Sequence, residues 1–231
     1  MQDHIVSSNN LSVGYGRDAV LSGVDLQIPH GILLPFVGPN GAGKSTLFNT
    51  LLGLQEPLAG SISRDFGDSP PGYVPQQKQL DPLYPVSVRQ IVAMGLYPEI
   101  GLALRVPQCF QKRLDQTLAT FQLDQHQHKR FAELSGGMKQ KTLIARAFAA
   151  NSDVIFLDEP TAGLDAAAET AVLNLLIAMN KHAGKTILIA HHRLEDLSRL
   201  AADVCYVNHG HAHIVSADQA IQEQLHPSET L

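Results

Sequence analysis

One octapeptide constrains this chain more than any other feature. Residues 38–45 read Gly-Pro-Asn-Gly-Ala-Gly-Lys-Ser, between an apolar run typical of a strand and a pattern typical of a helix. This spacing of glycines, lysine and serine is typical of a loop that wraps nucleotide phosphates. Glycine backbones can curl around phosphates without Cβ clashes, and the positive end of the following helix attracts the anion. A glycine-rich turn before a core helix is the alternative, and pattern and context together argue against it.

The loop side chains have separate expected roles. Lys44 should reach the β- and γ-phosphates, Ser45 should bind Mg²⁺ and Thr46 should bond the α-phosphate. The rest of the loop is expected to contact the nucleotide mainly through its backbone: Gly38, Pro39, Asn40, Gly41, Ala42 and Gly43. The sequence therefore predicts a site for ATP and Mg²⁺.

A second motif supplies two carboxylates. Residues 154–157 are an apolar run typical of a buried strand, and Asp158 and Glu159 follow them directly. We expect Asp158 to lie near the metal, beside the Ser45 hydroxyl. Glu159 is then expected to orient and polarise the attacking water as a general base. The alternative is a core strand followed by an acidic helix start, and the presence of the phosphate loop argues against it.

Composition limits the classes of partner. The chain has 231 residues and 44% hydrophobic residues, enough for one or two domains with a substantial core. Its net charge of -5 argues against a nucleic-acid partner, which would require a basic face. Cys109 and Cys205 have neither disulfide-framework nor zinc-site spacing.

We expect no signal peptide at the N-terminus and no membrane span. The first residues lack the basic and apolar halves of a signal. The apolar runs fall far short of the roughly 20 residues that cross a bilayer. If the protein works at a membrane, another protein is expected to hold it there.

The order of elements predicts an α/β fold. Residues 11–13, 24–28 and 33–37 are predicted strands of an antiparallel N-terminal layer and the start of the core, although Pro35 favours a shorter third strand around residues 36–37. Residues 67–75 are predicted to form a loop, and residues 86–131 a helical insert. After residue 135, strands alternate with long helices, which indicates a parallel sheet. The chain is interpreted as one domain over residues 1–231, with a helical subdomain at about residues 77–133.

Residues 134–138, Leu-Ser-Gly-Gly-Met, form a second helix start suited to an anion. Here the sequence resembles the ABC ATPase family, whose signature is usually written LSGGQ. The resemblance implies a P-loop NTPase core and ATP hydrolysis to ADP and phosphate. It also implies a head-to-tail dimer of two copies, in which Ser135, Gly136 and Gly137 of one copy bind the ATP held by the other.

Other elements of the family follow in order. By resemblance, Tyr15 stacks on adenine, Gln76 contacts the metal and senses the permease, and Asp165 communicates across the dimer. Gln77 is the alternative to Gln76 if the motif is shifted by one residue. The histidine that contacts the γ-phosphate is either His191 or His192, and the alignment favours His192.

Two positions depart from the family pattern. Met138 replaces the signature glutamine, and Arg193 stands where many relatives have aspartate. Neither change removes a group that hydrolysis requires, so an active ATPase is expected.

Residues 72–97 are similar to the metal-ion branch of the family, which serves manganese, zinc or iron importers. The resemblance implies a subunit bound peripherally at the cytoplasmic face of the cell (inner) membrane. Its partners would be a membrane permease and, indirectly, an extracytoplasmic substrate-binding protein. Importers of iron–siderophore, haem or cobalamin are the alternative, followed by a non-transport ABC ATPase. The cargo and the direction of transport are not determined by the sequence.

Three readings from other classes are less consistent with the motifs. A translation or DNA-repair ABC protein would need a second cassette or a coiled-coil insertion. A GTPase or kinase would leave residues 134–138 unexplained, and Asp158, Glu159 and His192 together argue against a purely structural nucleotide-binding regulator. His209, His211 and His213 would share one face if they lay on one strand, although such clusters are more often incidental than metal-binding.

Overall fold

The computed structural model describes residues 4–76, 85–101, 105–191 and 200–225. The chain forms two compact units: residues 1–65 with 186–231, and residues 66–185. In the described part of the chain, the strands in order are β1 (His4–Tyr15), β2 (Asp18–Val24), β3 (Gln27–Pro29), β4 (Leu33–Val37), β5 (Ala59–Arg64), β6 (Gly72–Val74), β7 (Val154–Asp158), β8 (Thr186–Ala190), β9 (Asp203–Asn208) and β10 (His211–Ser216). The α-helices described there are α1 (Lys44–Leu52), α2 (Val88–Ala93), α3 (Tyr97–Ile100), α4 (Gln108–Thr120), α5 (Gly136–Ala149), α6 (Ala166–Ala183) and α7 (Ala217–Leu225), and short 3-10 helices cover Met94–Leu96, Asp124–His126 and Phe131–Glu133.

The first unit contains an antiparallel sheet centred on β1. Strand β2 pairs with the second half of β1, β3 with its first half, and β5 also pairs with β1. Ile5, Leu11 and Val13 of β1 are fully buried. The predicted antiparallel N-terminal layer is therefore confirmed.

The single strand predicted over residues 24–28 is wrong, because the chain breaks between β2 and β3. The Ser8 Oγ donates to the carbonyl of Val24 at 2.9 Å and accepts from the N–H of Leu26 at 2.9 Å. The Asp25 carboxylate accepts from the N–H of Asn10 at 2.6 Å. These side-chain bonds replace the regular ladder at the step between the two strands.

The parallel strands of the first unit carry the phosphate loop. Strand β4 pairs in parallel with β8 and with β9, and β10 runs antiparallel to β9. All five residues of β4 are buried, and the ring of Phe36 packs edge-on against Phe48 of α1 with centroids 4.9 Å apart. Helix α1 is thereby held against the strand that precedes it.

Pro35 lies within β4, so the shorter strand predicted from this proline is wrong. The carbonyl of Ile32 accepts from the N–H of Ile187 in β8 at 2.8 Å, and the carbonyl of Phe36 accepts from the N–H of His191, directly after β8, at 2.9 Å. The even-numbered residues of β4 therefore face β8. The nitrogen of Pro35 therefore faces β9, and pairing with β9 begins only at Phe36. The proline lacks a donor at a place where the ladder does not use one.

The second unit combines a parallel strand pair with helices. Strand β6 pairs with β7 in the register Gly72↔Ile155 to Val74↔Leu157. The loop predicted over residues 67–75 is therefore wrong for its second half. A Cβ on Gly72 would lie 2.8 Å from the carbonyl oxygen of Ala147, so this strand passes too close to α5 for a side chain.

Between residues 88 and 133 the regular elements that the structure describes are all helical. Helix α2 begins with a capping box in which Ser87 and Gln90 bond each other's backbone N–H groups. Leu114 and Leu118 of α4 and Phe121 after it are buried. Among the helices described, none has the length and apolarity that crossing a bilayer requires.

The register of Pro35 can be tested by moving the proline. We expect Pro35→Ala to change the free energy of unfolding by less than about 1 kcal/mol, because the new N–H replaces no ladder bond. Leu34→Pro should be less stable than Leu34→Ala by about 1–3 kcal/mol, because it also removes a donor that faces β8. Urea unfolding of the three variants measures both differences, and equal stability of the two Leu34 variants would contradict the register.

Candidate functional site

The phosphate loop runs from the end of β4 to the start of α1. Gly43 is the N-cap of α1 with φ +100°, a backbone conformation that side chains rarely adopt. A Cβ at this position would lie 2.7 Å from Cγ1 of Val20 on β2. The loop can therefore keep this shape only with glycine at position 43.

Helix α1 presents an N-terminus suited to an anion. No side chain caps it, and its first turn contains no acidic residue. The Nζ of Lys44 donates to the carbonyls of Gly38 and Pro39 at 2.8 and 2.9 Å. Backbone N–H groups, the helix dipole and an ammonium group thus gather at one loop, which fits the phosphates of a nucleotide.

Tyr15 lies near the same helix. Its hydroxyl accepts from Oγ1 of Thr46 at 3.5 Å, and the residue is 60% exposed. A pocket of about 450 Å³ beside it is lined by Tyr15, Asn49, Leu54, Gln55 and Leu58, among others. An exposed aromatic ring next to the phosphate loop is available to stack on a base.

Asp158 ends the buried strand β7 in the second unit and is itself 5% exposed. Tyr73 on β6 has a pKa raised from its usual value, first by burial and second by the negative charge of Asp158. The phenol therefore stays neutral at physiological pH. A buried carboxylate is an oxygen ligand of the type that Mg²⁺ prefers, and the Gln76 amide of the same unit offers a further oxygen donor that fits this ion.

Glu159 follows Asp158 with φ +48°, in the left-handed region. Such backbone strain in a residue other than glycine costs of order 1–3 kcal/mol and is concentrated at functional sites. A turn bond from the N–H of Ala162 to the carbonyl of Glu159, 3.1 Å long, holds this conformation. The Glu159 carboxylate accepts from Nε2 of Gln76 at 2.8 Å.

Ser135 is the N-cap of α5, and its side chain accepts from the N–H of Met138 at 3.4 Å. The first turn of α5 contains no acidic residue. Gly137 lies close to α6, because a Cβ there would be 3.0 Å from Cβ of Ala168. The second helix start suited to an anion, predicted from residues 134–138, is thus present in the second unit.

Comparison with known proteins agrees with the geometry of the candidate site. A family model described as ABC transporter matches residues 21–162, more than half of the chain. The chain belongs to the ABC transporter family. The resemblance predicted from the motifs is confirmed.

Two relatives in the ABC transporter family are similar over most of their length. The manganese transport system ATP-binding protein MntB of Bacillus subtilis is 40% identical over 195 residues, covering 82% of this chain and 78% of the relative. The zinc transport system ATP-binding protein TroB of Treponema pallidum is 36% identical over 211 residues, covering 89% and 79%.

Solved structures confirm the predicted α/β fold. A metal-chelate type ABC transporter in an inward-facing conformation has a TM-score of 0.84 at 30% identity, covering 93% of this chain and 84% of the other. An ATP-binding cassette solved as a dimer in a post-hydrolysis state, bound to ADP and Pi, has a TM-score of 0.75 at 25% identity, covering 92% and 98%. This second structure supports an ATPase activity for the family.

The structure gives local contacts for Asp165 and His191, whereas other residues expected from the ABC transporter family are not described. Asp165 caps α6, where its carboxylate accepts from the N–H of Ala168 at 2.8 Å. His191 directly follows β8, is fully buried, and donates its backbone N–H to Phe36 at 2.9 Å. His192, the favoured γ-phosphate contact, and Gln77, the alternative to Gln76, lie outside the described residues, so both assignments stay predictions.

The three histidines near the C-terminus do not share one strand. His209 lies in the turn between β9 and β10 with φ +45°, whereas His211 and His213 lie on β10. The arrangement considered from the sequence, with all three histidines on one face of one strand, is therefore wrong. Within the described ranges, no group of three or more His, Cys, Asp or Glu side chains is arranged to hold a metal ion.

The sequence did not reveal the residues that lie close to the motifs in the fold but far from them in the chain. Val20 lies behind Gly43, Tyr73 lies near Asp158, and Leu54 and Gln55 line the same pocket as Tyr15, although each is distant from its neighbour in the chain. Three of the four large exposed apolar residues found in the described part, Tyr15, Leu54 and Leu58, line one pocket. No sequence signal links them.

Gly43→Ala tests the geometry of the phosphate loop. We expect ATP affinity to fall at least about tenfold, because the added Cβ meets Val20 and forces the loop to change shape. Gly184→Ala is the control, since Gly184 has φ +63° at the end of α6 with no atom near its Cβ position. Calorimetric titration with ATP should show normal affinity for the control, and equal affinity of both variants would refute the role of Gly43.

Proposed function

We propose that this chain is the ATP-hydrolysing subunit of an ABC transporter that takes up a manganese or zinc cation through a separate membrane permease. The observation that carries this cargo is its 40% and 36% identity with ATP-binding proteins of manganese and zinc transport systems. Iron is a further member of the same class. Uptake of a metal chelate is the second candidate, because a metal-chelate type ABC transporter shares this fold with a TM-score of 0.84.

The nucleotide is proposed to lie on the loop and helix of the first unit. Tyr15 stacks on adenine, the backbone of residues 38–46 surrounds the phosphates, and Lys44 neutralises the β- and γ-phosphates. The support is the uncapped N-terminus of α1 and the gathering of positive groups at the loop. Ser45, Gln76 and Asp158 would hold Mg²⁺, which would supply charge neutralisation for phosphoryl transfer.

Hydrolysis is assigned to Glu159. Its carboxylate orients and deprotonates the attacking water, while His192 contacts the γ-phosphate. The position of Glu159 directly after the buried Asp158, in a strained backbone conformation, supports this role. The products are ADP and phosphate.

A complete site is proposed to need two copies of the chain. Ser135, Gly136 and Gly137 of the second copy contact the γ-phosphate of ATP bound to the first, as the start of α5 is suited to an anion. A cassette of similar fold solved as a dimer with ADP and Pi supports this arrangement. Asp165 would communicate between the copies.

We further propose that the chain acts as one ABC ATPase domain at the cytoplasmic face of the cell membrane. The helical segment at about residues 77–133 would be a subdomain that contacts the permease. An extracytoplasmic substrate-binding protein would deliver the cargo to the permease. The helical character of the described residues in this segment supports that assignment.

Glu159→Gln tests the hydrolytic assignment. We expect ATP binding and dimer formation to persist while turnover falls by about 10²–10⁴-fold, because the amide cannot accept the proton. Glu99→Gln is the matched control, since that carboxylate pairs only with Arg113 among the described residues. Phosphate release measures turnover, and undiminished release by Glu159→Gln would exclude the role of Glu159.

The cargo is tested in cells that lack the chain. Complementation with the wild type should restore accumulation of manganese or zinc added as free ions, measured by mass spectrometry, and Glu159→Gln should not. Restoration only when the metal is supplied as a chelate would favour the second candidate instead.

A further inference from the structure

The side chains of Gln76 and Glu159 form a direct contact that neither role above requires. The distance from Nε2 of Gln76 to Oε2 of Glu159 is 2.8 Å. The amide N–H of Gln76 is the donor, and the carboxylate oxygen of Glu159 is the acceptor. This assigns the orientation of the Gln76 amide. Its Nε2 faces Glu159, and its Oε1, the other atom bonded to the amide carbon, takes no part in this hydrogen bond.

The register of β6 and β7 explains why these two residues meet. Val74 pairs with Leu157 at the end of the ladder. Continuing the parallel register by two residues places Gln76 opposite Glu159.

The contact leaves the two carboxylate oxygens unequal. Oε2 is held by the amide, whereas Oε1 can accept a hydrogen bond from water. A general base needs an oxygen directed at the proton it accepts, within hydrogen-bond reach. A carboxylate on a half-exposed side chain otherwise rotates freely, so the hydrogen bond restricts the orientations of Glu159.

We propose that Gln76 is a positioning residue for Glu159: its N–H donor orients the carboxylate that polarises the attacking water. This inference rests on the proposed role of Glu159 and adds a second role to Gln76, whose Oε1 stays available for the metal. A displacement of Gln76 would break its hydrogen bond to Oε2 and allow the Glu159 carboxylate to rotate.

Two variants of the chain separate the two roles of Gln76. Gln76→Glu keeps an oxygen for the metal but loses the N–H donor. Gln76→Met has similar length and loses both groups. The measured quantities are kcat and KM for ATP, and the Mg²⁺ concentration that gives half-maximal turnover, with Glu99→Gln as control.

For Gln76→Glu we expect kcat to fall at least tenfold, with KM and the half-saturating Mg²⁺ concentration within threefold of wild type. For Gln76→Met we expect a similar loss of kcat together with a higher Mg²⁺ requirement. A kcat for Gln76→Glu within twofold of wild type would overturn the inference, because a metal ligand without the donor would then suffice. A fall in kcat matched by a rise in KM or in the Mg²⁺ requirement for Gln76→Glu would overturn it as well.

A double variant tests whether Gln76 acts through Glu159. In the background of Glu159→Gln, single-turnover hydrolysis should be changed less than twofold by adding Gln76→Glu. Full additivity of the two losses contradicts a positioning role. If Glu159→Gln itself keeps full turnover, the proposed function fails. If Glu159→Gln is inactive while Gln76→Glu keeps turnover, only the positioning role fails.

Discussion

The exit of the chain from the buried strand β4 is the constraint on which the first unit depends. All five residues of β4 are buried, so the strand itself offers no polar side chain to a ligand. Anion-binding groups can be supplied only after Val37, where the chain turns through the loop and enters α1. The edge-on contact between Phe36 and Phe48 holds strand and helix together, and the left-handed Gly43 makes the turn possible. The phosphate site is therefore a consequence of how a buried parallel strand must end.

The second unit follows the same principle with a different outcome. Parallel strands β6 and β7 end at the same edge, so residues that follow them become neighbours. Asp158, Glu159 and Gln76 gather there although Gln76 lies far from the others in the chain. In a member of the ABC transporter family, this edge carries carboxylates and an amide, whereas the edge of the first unit carries positive groups.

Much of the candidate site was predictable because its motifs are local. A helix directly follows the phosphate loop as expected, strands alternate with helices after residue 135, and Ser135 caps α5. The failures came from positions where distant groups override local preference. Pro35 stays inside a strand because its nitrogen faces an edge not yet paired, and residues 72–74 form a strand because β7 lies beside them. His209 leaves the strand because the hairpin must turn there.

By itself the sequence determined the ligand and the family, since glycine spacing, the lysine, the paired carboxylates and the Ser-Gly-Gly helix start all act through local backbone geometry. Only the tertiary structure decided which side chains meet across strands. The hydrogen bond from Gln76 to Glu159 depends on the register of β6 against β7, and the raised pKa of Tyr73 depends on burial beside Asp158. Register and burial arise from contacts between segments far apart in the chain, and a local pattern carries no record of them.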